Sequence, residues 1–270
     1  MCDLLGMSFS NEVRAGISLN LFQIRGKENP DGWGLAFYKD SYLQIIKEAK
    51  SATQSTLYDF IERYPQSDTF ISHVRRSTRG QPSYVNTHPF YRVLETGGIR
   101  REYCFAHNGT LTDTSMLQLT YQSPLGSTDS ELLFCYLLER IKERDPRVWK
   151  TDDFQYMEGV LQEINSQENT LNCMMSDGEY LVCYSDENQH NGGLRFAPHK
   201  HPYGLMDFVE EGTTLGTVDI QGANVGGMEP SPSSGYIVVT RELVSPLWTE
   251  FDRGQLMVFK HGEIVYRGRP

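Results

Sequence analysis

Apolar residues fall into short runs along the chain, separated by polar and Gly/Pro-rich breaks, and the spacing inside each run predicts its element. Cys2 to Met7 is apolar and bounded by Ser and Asn, which reads as a buried first strand. Ile17 to Ile24 reads as a short helix. Trp33 to Tyr38 and Tyr42 to Ile46 alternate with period two around Lys39-Asp40-Ser41, a hairpin pattern. Leu57, Phe60, Ile61 and Tyr64 recur at spacings of three and four, so 55–64 reads as an amphipathic helix stopped by Pro65. Strands follow at 69–75 and 102–107, with a polar, Pro- and Gly-containing loop between them.

The firmest helical pattern covers 129–143. Thr128 stands as N-cap, Asp129 and Glu131 occupy the first turn, and Leu132 to Leu138 with Ile141 supply a broad apolar face ending before Pro146. A second helix is expected at 153–166. The pattern then turns to strand at 170–176, 179–184, 235–240, 255–259 and 263–266, with loops at 185–202 and 222–235. Strands and helices mix without strict βαβ alternation, which argues for an α+β fold: an antiparallel or mixed sheet system covered by helices.

Composition narrows the function. Lys and Arg number 25 against 35 Asp and Glu, a net charge of −10, which argues against a nucleic-acid-binding surface. The longest helical apolar run, Leu132 to Leu138, falls far short of the roughly 20 residues that span a bilayer, so no membrane partner is expected. The N-terminus lacks a basic flank and a long apolar core, so it does not read as a secretory signal. Five cysteines (Cys2, Cys104, Cys135, Cys173, Cys183) show no Cys-x-x-Cys spacing, so neither a disulfide framework nor a metal site is suggested and a reducing, cytoplasmic compartment is expected.

Several segments carry candidate chemistry, each with a plainer alternative. Cys2 is either a buried strand cysteine or, after removal of Met1, an N-terminal residue whose own α-amine, of ordinary pKa about 7.7–8.0, takes the thiol proton. In His73-Val-Arg-Arg-Ser-Thr-Arg-Gly80, Arg75 can fork onto a carboxylate, or the segment is a basic surface loop. His88 and His107 are acid/base candidates or satisfied structural histidines. The Asn108-Gly109 pair is a turn, or it aims a side-chain amide and a backbone N–H at one point, as an oxyanion hole requires. Asp129 caps a helix or binds a substrate ammonium.

Taken in order, N-terminal Cys, Asp31-Gly-Trp-Gly-Leu-Ala, His-x-Arg-x-x-Thr-x-Gly, His-Asn-Gly and Thr-Asp-Ser-Glu resemble the class II glutamine amidotransferases. Asn86-Thr-His-Pro-Phe, Ser176-Asp-Gly-Glu-Tyr, Val238-Val-Thr-Arg-Glu-Leu and Trp248 extend the resemblance towards a stand-alone, YafJ-like branch. The resemblance implies a four-layer α/β/β/α sandwich of the N-terminal-nucleophile hydrolase type, one domain over 1–270. It also implies Cys2 as nucleophile, Asn108 and Gly109 as oxyanion hole, and Arg75 with Thr78 on the substrate α-carboxylate. Asp129 is implied on the α-ammonium. Arg76 and Arg79 replace the Trp and His usual in biosynthetic members, and Arg25-Gly26 matches their early Arg-Gly pair only at a shifted distance from Asp31.

The function so implied is cleavage of the γ-amide of glutamine, or of another γ-glutamyl compound, through a thioester on Cys2, with no cofactor and no metal. The sandwich uses most of the chain, so any synthase that accepts the ammonia is expected on a separate protein. Two alternatives stand beside it: hydrolysis of γ-glutamyl peptides or amides of glutathione-like metabolism, and a silent protein that binds a γ-glutamyl metabolite. Oligomeric state is left open.

Overall fold

The computed structural model describes residues 2–61, 64–201, 205–210, 213–219, 233–245 and 248–268. Strand β1 (Asp3–Arg14) leads into helix α1 (Gly16–Gln23) and the hairpin β2 (Gly32–Lys39) and β3 (Tyr42–Glu48). Helix α2 (Thr56–Ile61), β4 (Gln66–Arg75) and a second hairpin, β5 (Phe90–Thr96) and β6 (Ile99–Leu111), follow. Helices α3 (Asp129–Arg144) and α4 (Thr151–Ile164) precede β7 (Asn169–Ser176), β8 (Leu181–Tyr184) and β9 (Arg195–His201). The remainder is β10 (Leu205–Glu210), β11 (Thr213–Asp219), β12 (Ser233–Val239), β13 (Val244–Ser245), β14 (Thr249–Glu250), β15 (Leu256–Lys260) and β16 (Glu263–Arg267).

Two large antiparallel sheets result, ordered β14-β9-β12-β1-β4-β2-β3 and β16-β15-β8-β7-β6-β5, with a small third sheet β11-β10-β13. Side-chain alternation sorts the strands into layers. Leu4 of β1, Ala36 of β2 and Ile71 of β4 meet Ala106, Met174, Leu181 and Phe259 of the other sheet in one buried cluster between the sheets. The alternate residues of the first sheet, Leu5, Met7, Trp33, Leu35 and Val74, pack outward with Leu19, Phe22, Tyr58 and Ile61 of α1 and α2. On the second sheet, Tyr103, Phe105, Leu171 and Val258 pack with Phe134, Leu137, Ile141 and Leu161 of α3 and α4. The order helix, sheet, sheet, helix is the expected four-layer sandwich. Inner strands covered on both faces read as continuous apolar runs, which is why β2 is buried from Gly32 to Tyr38 while its edge partner β3 is only half-buried.

Four expectations need correction. The loop assigned between the strands of 69–75 and 102–107 contains β5, whose hairpin to β6 turns on Gly97 and Gly98 at φ 55° and 76°, a two-residue turn open to glycine. The segment 185–202, read as loop from its Asn, His and Pro content, ends in β9, which pairs with β12 and β14. Helix α2 is shorter than 55–64 and turned: Tyr58 and Ile61 are buried, while Leu57, Phe60 and Tyr64 are exposed. The Tyr58 hydroxyl donates to the Leu19 carbonyl at 2.8 Å and its ring packs edge-on to Trp33, so a tyrosine rather than the leucine faces the core. Of the loop expected at 222–235, residues 233–235 belong to β12 and the rest lies outside the described residues.

Candidate active site

One end of the sandwich gathers the candidates. In the antiparallel pair of β1 and β4, Asp3 lies opposite Val74, so the start of β1 meets the end of β4 and Cys2 lies beside Arg75 and Arg76. Strand β5 accompanies β6 only as far as Phe105, which leaves Ala106 to Leu111 without a strand neighbour on that side. Helix α3 starts against this open stretch: Asp129 Oδ2 accepts the Leu111 N–H at 2.6 Å. Thr128 is the N-cap, its hydroxyl accepting the Glu131 N–H, as the sequence pattern predicts.

The Cys2 thiol is half-buried, whereas Cys104, Cys135, Cys173 and Cys183 are buried. Burial pushes the Cys2 thiol up; the Arg76 N–H, which donates to Sγ at 3.2 Å, and the Arg75 charge pull the other way. A thiol held up by desolvation needs a base at hand to become a thiolate. The neighbouring backbone is clamped. Buried Asp3 takes Nε and Nη2 of Arg241 at 2.8 and 2.5 Å, the Asn29 amide at 2.9 Å and the Thr240 hydroxyl at 3.2 Å. Arg241 belongs to the Val-Val-Thr-Arg-Glu-Leu segment that the sequence reading singled out without a role. Its place is to neutralise the carboxylate next to Cys2 and to tie the start of β1 to the end of β12.

Asn108 and Gly109 lie on β6 opposite Asn172 and Leu171 of β7. Asn108 Nδ2 donates to the Cys2 carbonyl at 2.6 Å, and the second N–H of the same amide has no partner among the described residues. The Thr110 N–H turns to Thr170 Oγ1 on β7 and the Leu111 N–H to Asp129, so by strand alternation the Gly109 N–H points with that of Leu111, to the open side. A Cβ at Gly109 would lie 2.0 Å from the Thr170 carbonyl oxygen and 2.5 Å from His107 Nε2, so only glycine fits.

Arg75 is 3 % exposed, and Nη2 donates to the carbonyls of Arg79 and Gly80 while Nη1 is buried without a hydrogen-bond partner among the described residues. Desolvation lowers its pKa, and the charges of Cys2, Asp31 and Asp129 oppose that fall. Asp31 accepts the Ser77 N–H and donates its own N–H to the Arg75 carbonyl, folding the segment after β4 back across the site. Asn86 ties that segment to α3, donating to the Gln81 carbonyl and accepting the Ser127 N–H. Thr78 is exposed, its hydroxyl 3.4 Å from that of Thr110 at the rim. Cys2, Arg75, Asn108, Gly109 and Asp129 thus come to one end of the fold, with Thr78 at its edge.

The histidines divide. His107 has Nε2 3.0 Å from the Thr170 carbonyl, which only accepts, so Nε2 carries the proton and Nδ1 accepts from the Ser130 hydroxyl at 2.9 Å. This is a satisfied structural histidine. His73 and His88 are buried with their rings 4.2 Å apart, and among the described residues no ring nitrogen of either has a hydrogen-bond partner. Burial pushes His73 down to about 3 and His88 well below its ordinary value. The unfolded chain therefore binds protons, from about pH 6.5 downward, that the folded one refuses. Stability is full above about pH 6.5 and drains as pH falls towards 3, by up to roughly 1.4 kcal/mol per pH unit for each histidine. Melting temperature measured from pH 7.5 to 5, above most carboxylate titration, should fall, and His73→Gln should flatten the fall. An unchanged slope in that variant contradicts the assignment.

Sequence reasoning passed over Asn172, Asp186 and Asn191. Asn191 Nδ2 donates to Asn108 Oδ1 at 2.9 Å, and the other two hold the turn that carries it. The available signal was Asn191-Gly-Gly, a sequence suited to left-handed backbone, inside a stretch read only as loop. Among the described residues no group of three or more His, Cys, Asp or Glu is placed to hold a metal ion, and no helix is long and apolar enough to cross a membrane.

Comparison with known proteins bears on the family and the fold. The chain is 38 % identical over 270 residues to MJ1515 of Methanocaldococcus jannaschii, covering all of this chain and 72 % of that protein. It is 32 % identical over 217 residues to the Escherichia coli protein named "Putative glutamine amidotransferase YafJ", covering 78 % and 81 % of the two chains. In fold it is similar to a Pseudomonas aeruginosa crystal structure described as a "predicted glutamine amidotransferase", with TM-score 0.63, 24 % identity and coverage of 98 % and 95 %. It also matches the glutamine phosphoribosylpyrophosphate amidotransferase of B. subtilis, with TM-score 0.61 and 15 % identity, over 49 % of that chain. The family model for class II glutamine amidotransferases matches residues 1–270, and the chain belongs to that family.

Proposed function

We propose that the chain hydrolyses the γ-amide of glutamine or of a related γ-glutamyl compound, through a γ-glutamyl thioester on Cys2. The observation that carries this reading is the Asn108 amide, whose donor edge sits 2.6 Å from the carbonyl of Cys2 itself, beside the thiol. The unpartnered Nη1 of Arg75 receives the substrate α-carboxylate, and the Asp129 oxygen not bonded to Leu111 receives the α-ammonium. Thr78 closes the carboxylate side.

In the chain that begins at Cys2, the α-amine takes the thiol proton as Sγ bonds to the γ-carbonyl carbon, and the carbonyl π pair moves to oxygen. Asn108 and the Gly109 N–H hold that oxyanion. When the pair returns, the C–N bond breaks, the ammonium proton passes to the leaving nitrogen, and ammonia or an amine departs. Water, giving a proton to the same amine, then attacks the thioester and releases glutamate and the free thiol.

A second reading concerns the leaving amine. Arg76 and Arg79 are exposed beside Arg75, and among the described residues neither forms an ion pair. Two free cations at the rim favour a γ-glutamyl amide whose amine carries a carboxylate. The test is glutamate release from glutamine, neutral γ-glutamyl amides and γ-glutamyl peptides at equal concentration. Release from any of them supports hydrolysis, and preference for the peptides selects the second reading. Saturable binding of all with turnover of none identifies a silent binding protein instead.

A further inference from the structure

We propose that Asn191 is the positioning residue of the oxyanion hole, fixing which edge of the Asn108 amide faces the reacting carbonyl; this rests on the hydrolytic reading above. The orientation follows from a chain of obligatory donors and acceptors. The Cys2 carbonyl can only accept, so the nitrogen of Asn108 faces it, at 2.6 Å. Asn108 Oδ1 therefore points away, and whatever meets it must donate. Asn191 Nδ2 meets it at 2.9 Å. With Oδ1 engaged there and one N–H on Cys2, the remaining N–H of Asn108 is held in one direction, available to the developing oxyanion. Among the described residues no other group hydrogen-bonds Asn108 Oδ1, so without Asn191 nothing on that side opposes rotation of the amide.

The turn that carries Asn191 is built for placement. Gln189 and Asn191 are left-handed, at φ 54° and 56°, and Gly192 and Gly193 continue at 77° and 71°. Left-handed backbone at the two non-glycine positions costs conformational energy and persists only where the surroundings hold it. Here Asp186 accepts the His190 N–H at 2.9 Å through Oδ2, and Asn172 donates to the His190 carbonyl at 2.8 Å. Asn172 is the residue of β7 directly opposite Asn108, so the turn is referenced to the strand it serves. Asp186 Oδ1 also accepts from the Leu171 N–H and from Asn165, which anchors the network in the second sheet.

Two substitutions test this, because Gly and Asp both tolerate left-handed backbone and leave the turn intact. Asn191→Gly removes the donor, and kcat for glutamate release should fall about 10- to 100-fold with KM little changed. Asn191→Asp sets a carboxylate against Asn108 Oδ1 and drives the amide to turn its oxygen inward, so the loss should be larger, about 10²–10³-fold. In an Asn108→Ala background neither change should cost further activity, since there is no amide left to orient. A purely structural role predicts neither the ranking of Asp below Gly nor this loss of effect. Wild-type kcat in both single variants, or equal losses with and without Asn108, overturns the inference. Wild-type protein that releases no glutamate from any γ-glutamyl compound overturns the hydrolytic reading, and this inference with it.

Discussion

A preparation whose first residue is Cys2 should hydrolyse a γ-glutamyl amide, and the same chain retaining Met1 should be slower by about 10²–10⁴-fold, the usual worth of a positioned proton acceptor. The reason lies in the thiol's surroundings. Burial pushes the Cys2 pKa up, so little thiolate is present without a base. His107 is committed to Ser130 and Thr170, and burial holds His73 and His88 neutral, with no hydrogen bond from either to Cys2 among the described residues. The free α-amine is the remaining acceptor, and a peptide bond to Met1 abolishes its basicity. The Asp3 carboxylate next door would hold that amine protonated; its pairing with Arg241 offsets this. Rates should rise with pH through an apparent value that belongs to the amine and thiol together. Matched preparations, with N-termini confirmed by intact mass, decide the matter. Equal rates would return the search for a base to the histidines.

Arg75→Ala and Asp129→Ala should each lower kcat/KM by about 2–5 kcal/mol, roughly 30- to 5,000-fold, because each removes a charged contact to the zwitterionic head of the substrate. The buried, unpartnered Nη1 makes Arg75 the larger of the two. Removing Arg75 also releases the carbonyls of Arg79 and Gly80, so Arg75→Lys is the better-folded control, keeping charge without the fork. Steady-state kinetics with thermal melts as a folding check provide the measurement. Unchanged kcat/KM in both alanine variants, with folding intact, removes the pair from the site.

The sequence made some of this legible and hid the rest for physical reasons. The α3 boundaries were readable because a capping threonine, first-turn acids and a terminating proline act locally. Strands β1, β2, β4, β6, β7 and β15 were readable as apolar runs. Strand β5 was hidden because Phe90, Leu94 and Thr96 face the core while Tyr91 and Glu95 do not, a pattern close to that of a polar loop. Only its Gly97-Gly98 turn betrayed it. The reversed face of α2 depended on one tertiary hydrogen bond, from Tyr58 to Leu19, which no local pattern encodes. At the site, Cys2, Arg75, Asn108, Gly109 and Asp129 were recognisable from motif order, because each lies in a short segment of distinctive composition. Asn191 and Arg241 were not assigned roles, because each acts on a residue far away in sequence, Asn108 and Asp3.

The central claim is that Cys2 is the nucleophile, and selective alkylation tests it most directly. Only Cys2 is half-buried among the five cysteines; burial pushes Cys104 up to about 12 and raises Cys135, Cys173 and Cys183 as well. A glutamine analogue bearing an electrophile at the γ-position should therefore modify Cys2 alone, with loss of glutamate release proportional to the fraction labelled. Peptide mass mapping against residual activity is the measurement. Complete Cys2 modification with turnover retained, or complete inactivation with Cys2 untouched and Cys104 or Cys135 labelled, would contradict the account.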